Sequence, residues 1–257
     1  MKILETVQAF QDWRTSLPRQ TTLGIVPTMG ALHLGHCSLM AASKQQNDLT
    51  IVTIFVNPTQ FNQASDFEKY PKTWEADLAM CEKYGADVVF APHSREEMYP
   101  DHYLYRISEH GLSQELCGEF RPGHFEGVLT IVMKLLNLAD ADRAYFGEKD
   151  HQQLTLIEGM TRAFFMRTRI IPCPTLREDS GLAMSSRNLR LSPADREIAP
   201  KLYAVISELL DIEQAKEELA RLGFRVEYLV EKIEGDHRRR YVAAWLGEVR
   251  LIDNVRI

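Results

Sequence analysis

The sequence lacks paired cysteines. Its four cysteines, Cys37, Cys81, Cys117 and Cys173, are far apart and form no C-x-x-C pair. A zinc ribbon or a thioredoxin-like redox site would need such pairs, so the sequence gives no support to either. Scattered cysteines are typical of proteins in a reducing compartment. Cys37 follows His36 and could be a nucleophile, but a small residue packed inside a helix turn is the commoner case.

Long hydrophobic runs are also missing. No stretch approaches the roughly 18 apolar residues that a transmembrane helix needs. The first residues, Met1 to Glu5, lack the basic and then apolar pattern of a secretory signal peptide. We therefore expect a cytoplasmic protein with no membrane partner.

An excess of positive charge is absent too. The 30 Lys and Arg residues against 36 Asp and Glu residues give a net charge of −6. This sign argues against nucleic acid as the main partner, although it leaves open a local basic pocket for a small anion. With 257 residues, 45% of them hydrophobic and 26% charged, the chain can form one large globular domain or two unequal ones.

The most informative stretch is V-P-T-M-G-A-L-H-L-G-H at 26–36. It follows an apolar run at 23–26 that predicts a buried strand, and it leads into a helical segment at 34–47. A strand that turns through glycine into a helix N-terminus presents backbone N–H groups to an anion. His33 and His36 face the same side and can donate hydrogen bonds to phosphate oxygens. From this stretch alone, a chance turn or a pair of metal ligands remains open.

Strand-like and helix-like segments alternate through the first two thirds of the chain. Apolar and β-branched runs predict strands at 23–26, 49–56, 87–91, 143–146 and 167–171. Apolar spacing predicts helices at 3–16, 34–47, 73–84, 128–138 and 150–164. Repeated strand–helix units imply an α/β fold with a Rossmann-like parallel sheet and right-handed crossovers.

Polar loops follow three of the predicted strands, at 29–36, 57–61 and 147–150. Ligands of parallel sheets bind outside the carboxyl ends of the strands, so we expect these loops to converge on one site. The irregular stretch 92–125 is long for a compact domain, which predicts a functional insertion.

The pattern changes after Pro172, and we place a domain boundary near residue 175. Ser192 and Pro193 predict the start of a charged helix that continues to about residue 222. Three strands are predicted at 224–230, 241–246 and 249–252, the last two joined as a hairpin. The basic run at 237–240 is interpreted as a solvated turn. These elements predict a small α+β C-terminal domain.

Six motifs in this order resemble the pantothenate synthetase family, whose members are also called pantoate–β-alanine ligases. They are PTMGALHLGH at 27–36, FVNPTQF at 55–61, RPGHF at 121–125, FGEKDHQQ at 146–153, MSSRN at 184–188 and AAWLG at 243–247. The H-x-G-H motif alone occurs across a superfamily of nucleotidyltransferases, whereas the ordered set is specific. The resemblance extends from about residue 3 to residue 254.

The resemblance implies a two-step ligation in a Rossmann-like nucleotidyltransferase domain at 1–175, with a C-terminal lid at 176–257. Pantoate attacks the α-phosphate of ATP to give pantoyl adenylate and pyrophosphate, and β-alanine then displaces AMP to give pantothenate. Magnesium would accompany ATP, held mostly by phosphate oxygens, with Asp77 as a faint protein candidate. The resemblance also implies a homodimer. The C-terminal domain is shorter than the family usually has.

The resemblance also implies the site residues. The expected catalytic residues are His36 as the proton-donating or charge-stabilising group, with His33, Lys149 and Arg187. The expected ATP-binding residues are Met29, Gly30, Ala31, Leu32, His33, Leu34, Gly35, His36, Gly147, Glu148, Lys149, Asp150, Leu176, Met184, Ser185, Ser186 and Arg187. The expected pantoate-binding residues are Gln60 and Gln153, followed by Asn57, Tyr70 and Arg121. Arg121 is equally well explained as a brace of the insertion, and His124 as a packed or hydrogen-bonded histidine.

Three other functions share part of this pattern. Another nucleotidyltransferase could act on a phosphate acceptor, but cationic residues would then be expected in place of Gln60 and Gln153. A metal hydrolase could use the histidines at 33, 36, 124 and 151, but the spacing of metal-binding helices is absent. A nucleotide sensor without activity would not need two histidines, a lysine and an arginine directed at phosphates.

Overall fold

A computed structural model describes residues 1–62, 64–208 and 210–257. Contacts within the chain divide it into two units. The first unit consists of Met1–Glu148 and Gln152–Cys173, and the second of Lys149–His151 and Pro174–Ile257.

The first unit is built on a sheet of six strands. They are β1 (Lys2–Leu4), β2 (Leu23–Thr28), β3 (Leu49–Ile54), β4 (Val88–Phe90), β5 (Arg143–Gly147) and β6 (Arg169–Cys173). Their order is β1-β4-β3-β2-β5-β6, and every neighbouring pair is parallel. The predicted α/β fold with a parallel sheet is confirmed.

In the described residues of the chain, eight α-helices connect or follow these strands. They are α1 (Val7–Ser16), α2 (Leu34–Gln46), α3 (Ala64–Glu68), α4 (Trp74–Lys83), α5 (Arg95–Met98), α6 (Cys117–Phe120), α7 (His124–Ala139) and α8 (His151–Ala163). Among the described residues, no helix is long and apolar enough to cross a membrane.

Helices cover both faces of the sheet. Val26, Val52 and Val89 pack with residues of α2 and α4 on one face. Phe90, the next residue after Val89, points to the opposite face because strand side chains alternate. There its ring lies 4.6 Å from that of Phe10 in α1, and α7 contacts both α1 and β2. Burial on both faces explains the nearly continuous apolar runs in the strands.

The strand order places three loops at one edge of the sheet. From the central strand β2, the chain adds β3 and then β4 on one side and later adds β5 and β6 on the other. The order of the strands therefore reverses at β2. In parallel sheets, such a reversal opens a crevice at the carboxyl ends. The loops that follow β2, β3 and β5 begin there.

Two predicted helices have different starting points. Residues 3–4 belong to β1 at the sheet edge, and α1 begins only at Val7, after Thr6 accepts a hydrogen bond from the Ala9 N–H. The apolar residues at 3–4 fit helical spacing equally well, which explains the error. The predicted helix at 128–138 begins four residues earlier, at His124, where Gly123 adopts a left-handed φ of 78°. The stretch 92–125 contains α5, α6 and a 3-10 turn at Leu112–Gln114.

The described residues of the second unit form a three-stranded antiparallel sheet and three short helices. The strands are β7 (Arg225–Glu234), β8 (His237–Leu246) and β9 (Val249–Arg256), and the helices are α9 (Pro193–Ile198), α10 (Lys201–Ser207) and α11 (Ile212–Arg221). One apolar core joins the sheet to the helices. The predicted hairpin between β8 and β9 is confirmed, with Leu246 paired to Val249.

Two predictions for this unit are wrong. The single charged helix from 193 to 222 is interrupted, first at Pro200, which cannot donate a backbone hydrogen bond, and again before Asp211. Leu209 lies outside the described residues. The basic run at 237–240 is not a solvated turn, because the turn falls at 235–236 and the run begins β8. Arg240 is only 3% exposed, and its guanidinium bonds Glu231 Oε1 and the Leu210 carbonyl at 2.7 Å each.

Candidate functional site

The turn after β2 is held by a buried carboxylate. Gly30 and Ala31 both have positive φ, 77° and 49°. The backbone N–H groups of Ala31 and Leu32 donate to Asp77 Oδ2 and Oδ1 at 2.9 and 2.7 Å. A Cβ on residue 30 would lie 2.9 Å from Asp77 Oδ2, so the turn requires glycine there for both its backbone conformation and this close approach.

His33 and His36 form the N-terminal cap of α2. The Gly35 N–H donates to His33 Nδ1 at 3.1 Å, and the His33 N–H donates to His36 Nδ1 at 3.3 Å. The ring centroids are 4.1 Å apart. A nitrogen that accepts from an N–H group carries no proton, so each ring in its neutral form has its proton on Nε2. The cap therefore fixes both histidines as Nε2–H donors.

These contacts correct one prediction about the turn. The sequence predicts backbone N–H groups open to an anion, but those of Ala31, Leu32, His33 and Gly35 already have acceptors within the protein. For these four groups the prediction is wrong. The cap adds two side-chain donors at this turn, the Nε2–H groups of His33 and His36. Protonating His36 on Nδ1 would break its hydrogen bond from the His33 N–H.

The loop after β3 orients the amide of Gln60. Asn57 is 1% exposed, and its Nδ2 donates to the Gly127 carbonyl at 3.2 Å and to Gln60 Oε1 at 3.0 Å. Its Oδ1 accepts from the Tyr99 hydroxyl at 2.8 Å. Because the Gly127 carbonyl can only accept, the orientation of both amides follows from the network. Gln60 therefore presents its Nε2 as a donor, and Asn57 holds the Gln60 amide in this orientation.

Arg121 and His124 hold the backbone of the same turn. His124 Nδ1 donates to the Gln60 carbonyl at 2.8 Å, since a carbonyl can only accept. Arg121 lies 3.4 Å from that carbonyl and 3.1 Å from His124 Nε2. The two alternatives considered from sequence, a brace for Arg121 and a hydrogen-bonded histidine at 124, both match these contacts.

The remaining predicted pantoate residues lie in the first unit. Tyr70 is buried, and its ring meets that of Phe61 edge-on at 5.8 Å. Gln153 is half-buried on α8. Its neighbour Gln152 is buried and bonds the Leu112 carbonyl at 2.8 Å, so it braces the insertion. Adjacent residues on a helix point in different directions, which is the signal that could have separated the two glutamines.

The loop after β5 passes from one unit to the other. Gly147 and Glu148 belong to the first unit, whereas Lys149 and Asp150 belong to the second. The Lys149 carbonyl accepts from Asn254 Nδ2 at 3.0 Å, and Lys149 Nζ lies 3.6 Å from Asp150 Oδ2. The backbone of the predicted catalytic lysine is thus bonded to β9.

The next residue adds a second link to the same sheet. His151 Nδ1 lies 2.9 Å from the Tyr241 hydroxyl, and that hydroxyl donates to Glu234. Burial, followed by the hydrogen bond to Glu234, raises the pKa of Tyr241 well above its usual range. Tyr241 therefore stays protonated and can keep donating to Glu234.

The predicted phosphate loop at 184–187 is braced within the second unit. Arg177 pairs with Asp253 at 2.6 and 2.9 Å, and the Met184 N–H donates to the Leu176 carbonyl at 3.0 Å. Ser185 Oγ accepts from the Arg187 N–H at 3.2 Å. Ser185 therefore caps the 3-10 turn Ser186–Arg190.

Burial keeps three of the buried thiols in the protonated form. Cys37 is 1% exposed, and burial raises its pKa. Burial, followed by the charge of Asp77, raises the pKa of Cys81 to about 12. Burial, followed by the charge of Glu148, raises the pKa of Cys173 to about 11. A thiol that stays protonated is a poor nucleophile, which argues against the alternative role for Cys37.

The side chains do not fit a metal held by the protein alone. Within residues 1–62, 64–208 and 210–257, no group of three His, Cys, Asp or Glu residues could hold an ion. Asp77, the candidate named from sequence, is buried with both oxygens bonded to the backbone. His124 and His151 are engaged with Gln60 and Tyr241, so the metal hydrolase receives no support.

Comparison with known proteins identifies the family. The family model described as pantoate-beta-alanine ligase matches residues 2–256. The chain is similar to a pantothenate synthetase of Bdellovibrio bacteriovorus, with 51% identity over 100% of this chain and 99% of the relative. It is also similar to a pantothenate synthetase of Legionella pneumophila, with 47% identity over 99% of each chain.

Two solved structures share the fold. A pantoate-β-alanine ligase of Francisella tularensis, complexed with β-γ ATP and β-alanine, has a TM-score of 0.93 at 42% identity, covering 99% of this chain and 97% of that one. A pantothenate synthetase of Thermus thermophilus has a TM-score of 0.91 at 37% identity, covering 99% of each. These two structures are matched over nearly their whole length, so the match includes the C-terminal unit. The chain belongs to the pantoate–β-alanine ligase family of enzymes.

Proposed function

We propose that the protein condenses (R)-pantoate with β-alanine in two steps driven by ATP. One observation carries the proposal. At the carboxyl ends of the neighbouring strands β2 and β3, two histidines fixed as Nε2–H donors accompany the oriented amide of Gln60. The two Nε2–H donors suit phosphate oxygens, and the Gln60 amide suits the hydroxyl or carboxylate of a hydroxy acid.

In the first step, a pantoate carboxylate oxygen attacks the α-phosphorus of ATP. A new P–O bond forms, the bond between the α-phosphorus and the bridging oxygen breaks, and pyrophosphate leaves with that electron pair. The protein must place two anions side by side and offset their repulsion. We assign the Nε2–H groups of His33 and His36 to the oxygens on which charge develops, and we assign the positive charges of Lys149 and Arg187 to the same phosphates from the family resemblance.

In the second step, the neutral amine of β-alanine attacks the acyl carbon of pantoyl adenylate. The C–N bond forms, the C–O bond to AMP breaks, and the amine releases a proton. The carboxylate has become a good electrophile because AMP is a good leaving group. The adenylate explains why a ligase needs a nucleotide-binding turn and a hydroxy-acid pocket together.

The binding assignments belong to the same proposal. ATP is assigned to residues 29–36, 147–150 and 184–187 of the family motifs, and to Leu176 outside them. Pantoate is assigned to Gln60 and Gln153, with Tyr70 beside them. Asn57 and Arg121 are assigned to the support of Gln60, because that is where their hydrogen bonds go.

Other parts of the proposal rest on the resemblance. We assign residues 1–175 to the binding of ATP and pantoate and residues 176–257 to the lid. We also propose a homodimer in the cytoplasm, which sedimentation and localisation measurements can test. Magnesium would arrive on the phosphate oxygens of ATP, and no step above depends on a protein ligand for it.

The decisive experiment is pantoate-dependent exchange between ATP and labelled pyrophosphate, without β-alanine. We expect exchange with pantoate and none when pantoate is omitted. A phosphate-bearing acceptor that supports exchange while pantoate does not would favour another nucleotidyltransferase. Nucleotide binding without exchange on any acceptor would favour a sensor. Either result would refute the ligase.

A further inference from the structure

Asp77 is a buried aspartate whose two carboxylate oxygens both accept hydrogen bonds from the protein. It lies in α4 and is 2% exposed. Its Oδ2 accepts from the Ala31 N–H at 2.9 Å, and its Oδ1 accepts from the Leu32 N–H at 2.7 Å and from the Thr73 hydroxyl at 3.1 Å. Three donors therefore converge on one side chain from two separate segments of the chain.

The charge of Asp77 is balanced by backbone N–H groups. In the described parts of the chain, no Lys, Arg or His side chain forms an ion pair with it. Successive N–H groups of a tight turn make a concavity that binds anions. In this turn the bound anion is the protein's own carboxylate. Gly30 admits it, because any side chain at residue 30 would begin 2.9 Å from Asp77 Oδ2.

The position of the turn determines where the histidines lie. Ala31 holds a φ of 49°, which a residue with a side chain rarely adopts. Such a conformation persists only where its surroundings hold it. His33 follows directly, and the cap it shares with His36 begins α2. Releasing the turn would therefore release the first of the two Nε2–H donors.

We infer that Asp77 is a positioning residue that holds the 30–32 turn beneath His33 and His36, and that it is not a ligand of a divalent cation. Magnesium ligation needs a carboxylate oxygen open to the ion, whereas both Asp77 oxygens face protein donors. The expected effect of Asp77 on catalysis rests on the proposed function, whereas its stabilisation of the 30–32 turn does not.

Asp77→Asn is the first test, because it keeps the size of the side chain and removes one acceptor. The new amide group would face an N–H donor. We expect the amide protons of Ala31 and Leu32 to exchange with solvent about tenfold faster or more, measured by NMR, while those of β3 stay protected. Unchanged exchange at both residues would overturn the inference, whatever the enzyme's activity.

Kinetics separate positioning from metal binding. We expect kcat for pantoate-dependent exchange to fall by about 10- to 100-fold, the scale of a displacement of about 1 Å. The magnesium concentration that gives half-maximal activity should not change. A raised magnesium requirement, with kcat restored at high magnesium, would identify Asp77 as a ligand and overturn the inference. If the wild-type protein shows no exchange activity, the proposed function fails while the amide measurement still tests Asp77.

Asp142→Asn is the matched control. Asp142 Oδ2 accepts from the Leu23 N–H at 2.8 Å, so it makes the same kind of bond at the opposite end of β2. We expect faster exchange at Leu23 and wild-type kinetics. If Asp77→Asn does not fold, Thr73→Val removes only the hydroxyl donor. Faster exchange at Leu32 with a smaller loss of kcat then supports the inference, and no change in either contradicts it.

Discussion

Gly127 sets the distance between α7 and the turn that carries Gln60. A Cβ added at Gly127 would lie 2.5 Å from the Thr59 carbonyl oxygen, 2.6 Å from the Thr59 carbonyl carbon and 2.7 Å from the Gln60 backbone nitrogen. All three atoms are backbone, so no side-chain rotation can relieve the contact. Gly127→Ala must push the helix and the turn apart.

The displacement can be worked out from these distances. Ordinary contacts of a Cβ begin at 3.4 Å, so the closest pair must separate by 3.4 − 2.5 = 0.9 Å. The Asn57 bond to the Gly127 carbonyl, already 3.2 Å long, spans the same gap. Inside a helix, alanine is favoured over glycine by about 0.5–1 kcal/mol, whereas overpacking a tight contact costs about 1–3 kcal/mol. The steric term is the larger, so the variant should be less stable.

In Gly127→Ala, the rate of exchange with pantoate should fall by a larger factor than the loss of folding stability would suggest. A displacement near 1 Å at a substrate-positioning group can reduce the rate by about 10²-fold. We expect exchange with pantoate to show a higher KM for pantoate and a lower kcat, while the KM for ATP changes little. These constants, together with a thermal unfolding curve, test the prediction.

Gly159→Ala is the matched control. Gly159 lies in α8, and a Cβ there would meet nothing within 4 Å. This variant should be more stable by about 0.5–1 kcal/mol and should keep wild-type kinetics. If both alanine variants behave alike, or if Gly127→Ala keeps the wild-type KM for pantoate, the reasoning from close approach is wrong.

Two further predictions concern the phosphate-directed residues. His36→Asn places an oxygen where Nδ1 accepts from His33 but removes the Nε2–H donor, so we expect near-normal melting and exchange slowed about 10²-fold or more. His36→Gln places its amide where Nε2 stands but does not accept from the His33 N–H, so we expect a lower melting temperature and faster exchange than in His36→Asn. If His36→Gln is less active than His36→Asn, the assignment is wrong. Asn254→Ala removes the donor to the Lys149 carbonyl, and should lower kcat for exchange by up to about tenfold. Tyr241→Phe keeps the ring but loses the hydroxyl that bonds His151, so we expect a similar fall in kcat. A normal rate in both Asn254→Ala and Tyr241→Phe would show that the sheet of β7, β8 and β9 does not position Lys149.

The sequence could predict the parts of the fold that local patterns determine. The runs that became β2 and β3 are apolar on both sides, which requires a sheet covered on both faces. Gly30 and the helix after it identified the turn from neighbouring residues alone. The short strand β1 was missed because its two apolar residues at 3–4 also continue the spacing of α1.

Contacts between distant segments could not be predicted in this way. Asp77 lies 46 residues after Ala31 in the chain, and nothing local distinguishes it from the other acidic residues of α4. The orientation of the Gln60 amide depends on a carbonyl 70 residues from Asn57. Arg240 was interpreted as solvated because its acceptors are distant in the chain: the Glu231 carboxylate and the carbonyls at and after the end of α10, which the sequence did not predict to end there.

The histidine cap links the stability of α2 to the chemistry proposed for it. Serine, threonine or aspartate at residue 33 would satisfy the same backbone N–H group, and these are the residues that usually cap helices. None of them has a second polar atom placed across a rigid ring. Histidine accepts through Nδ1 and donates through Nε2, so the bond that closes the helix also determines the proton's position on the ring. A catalytic donor fixed by backbone hydrogen bonds needs little reorganisation as charge develops on a phosphate oxygen. Under the proposed function, this double use accounts for two histidines at a helix start where one small polar residue would suffice for folding alone.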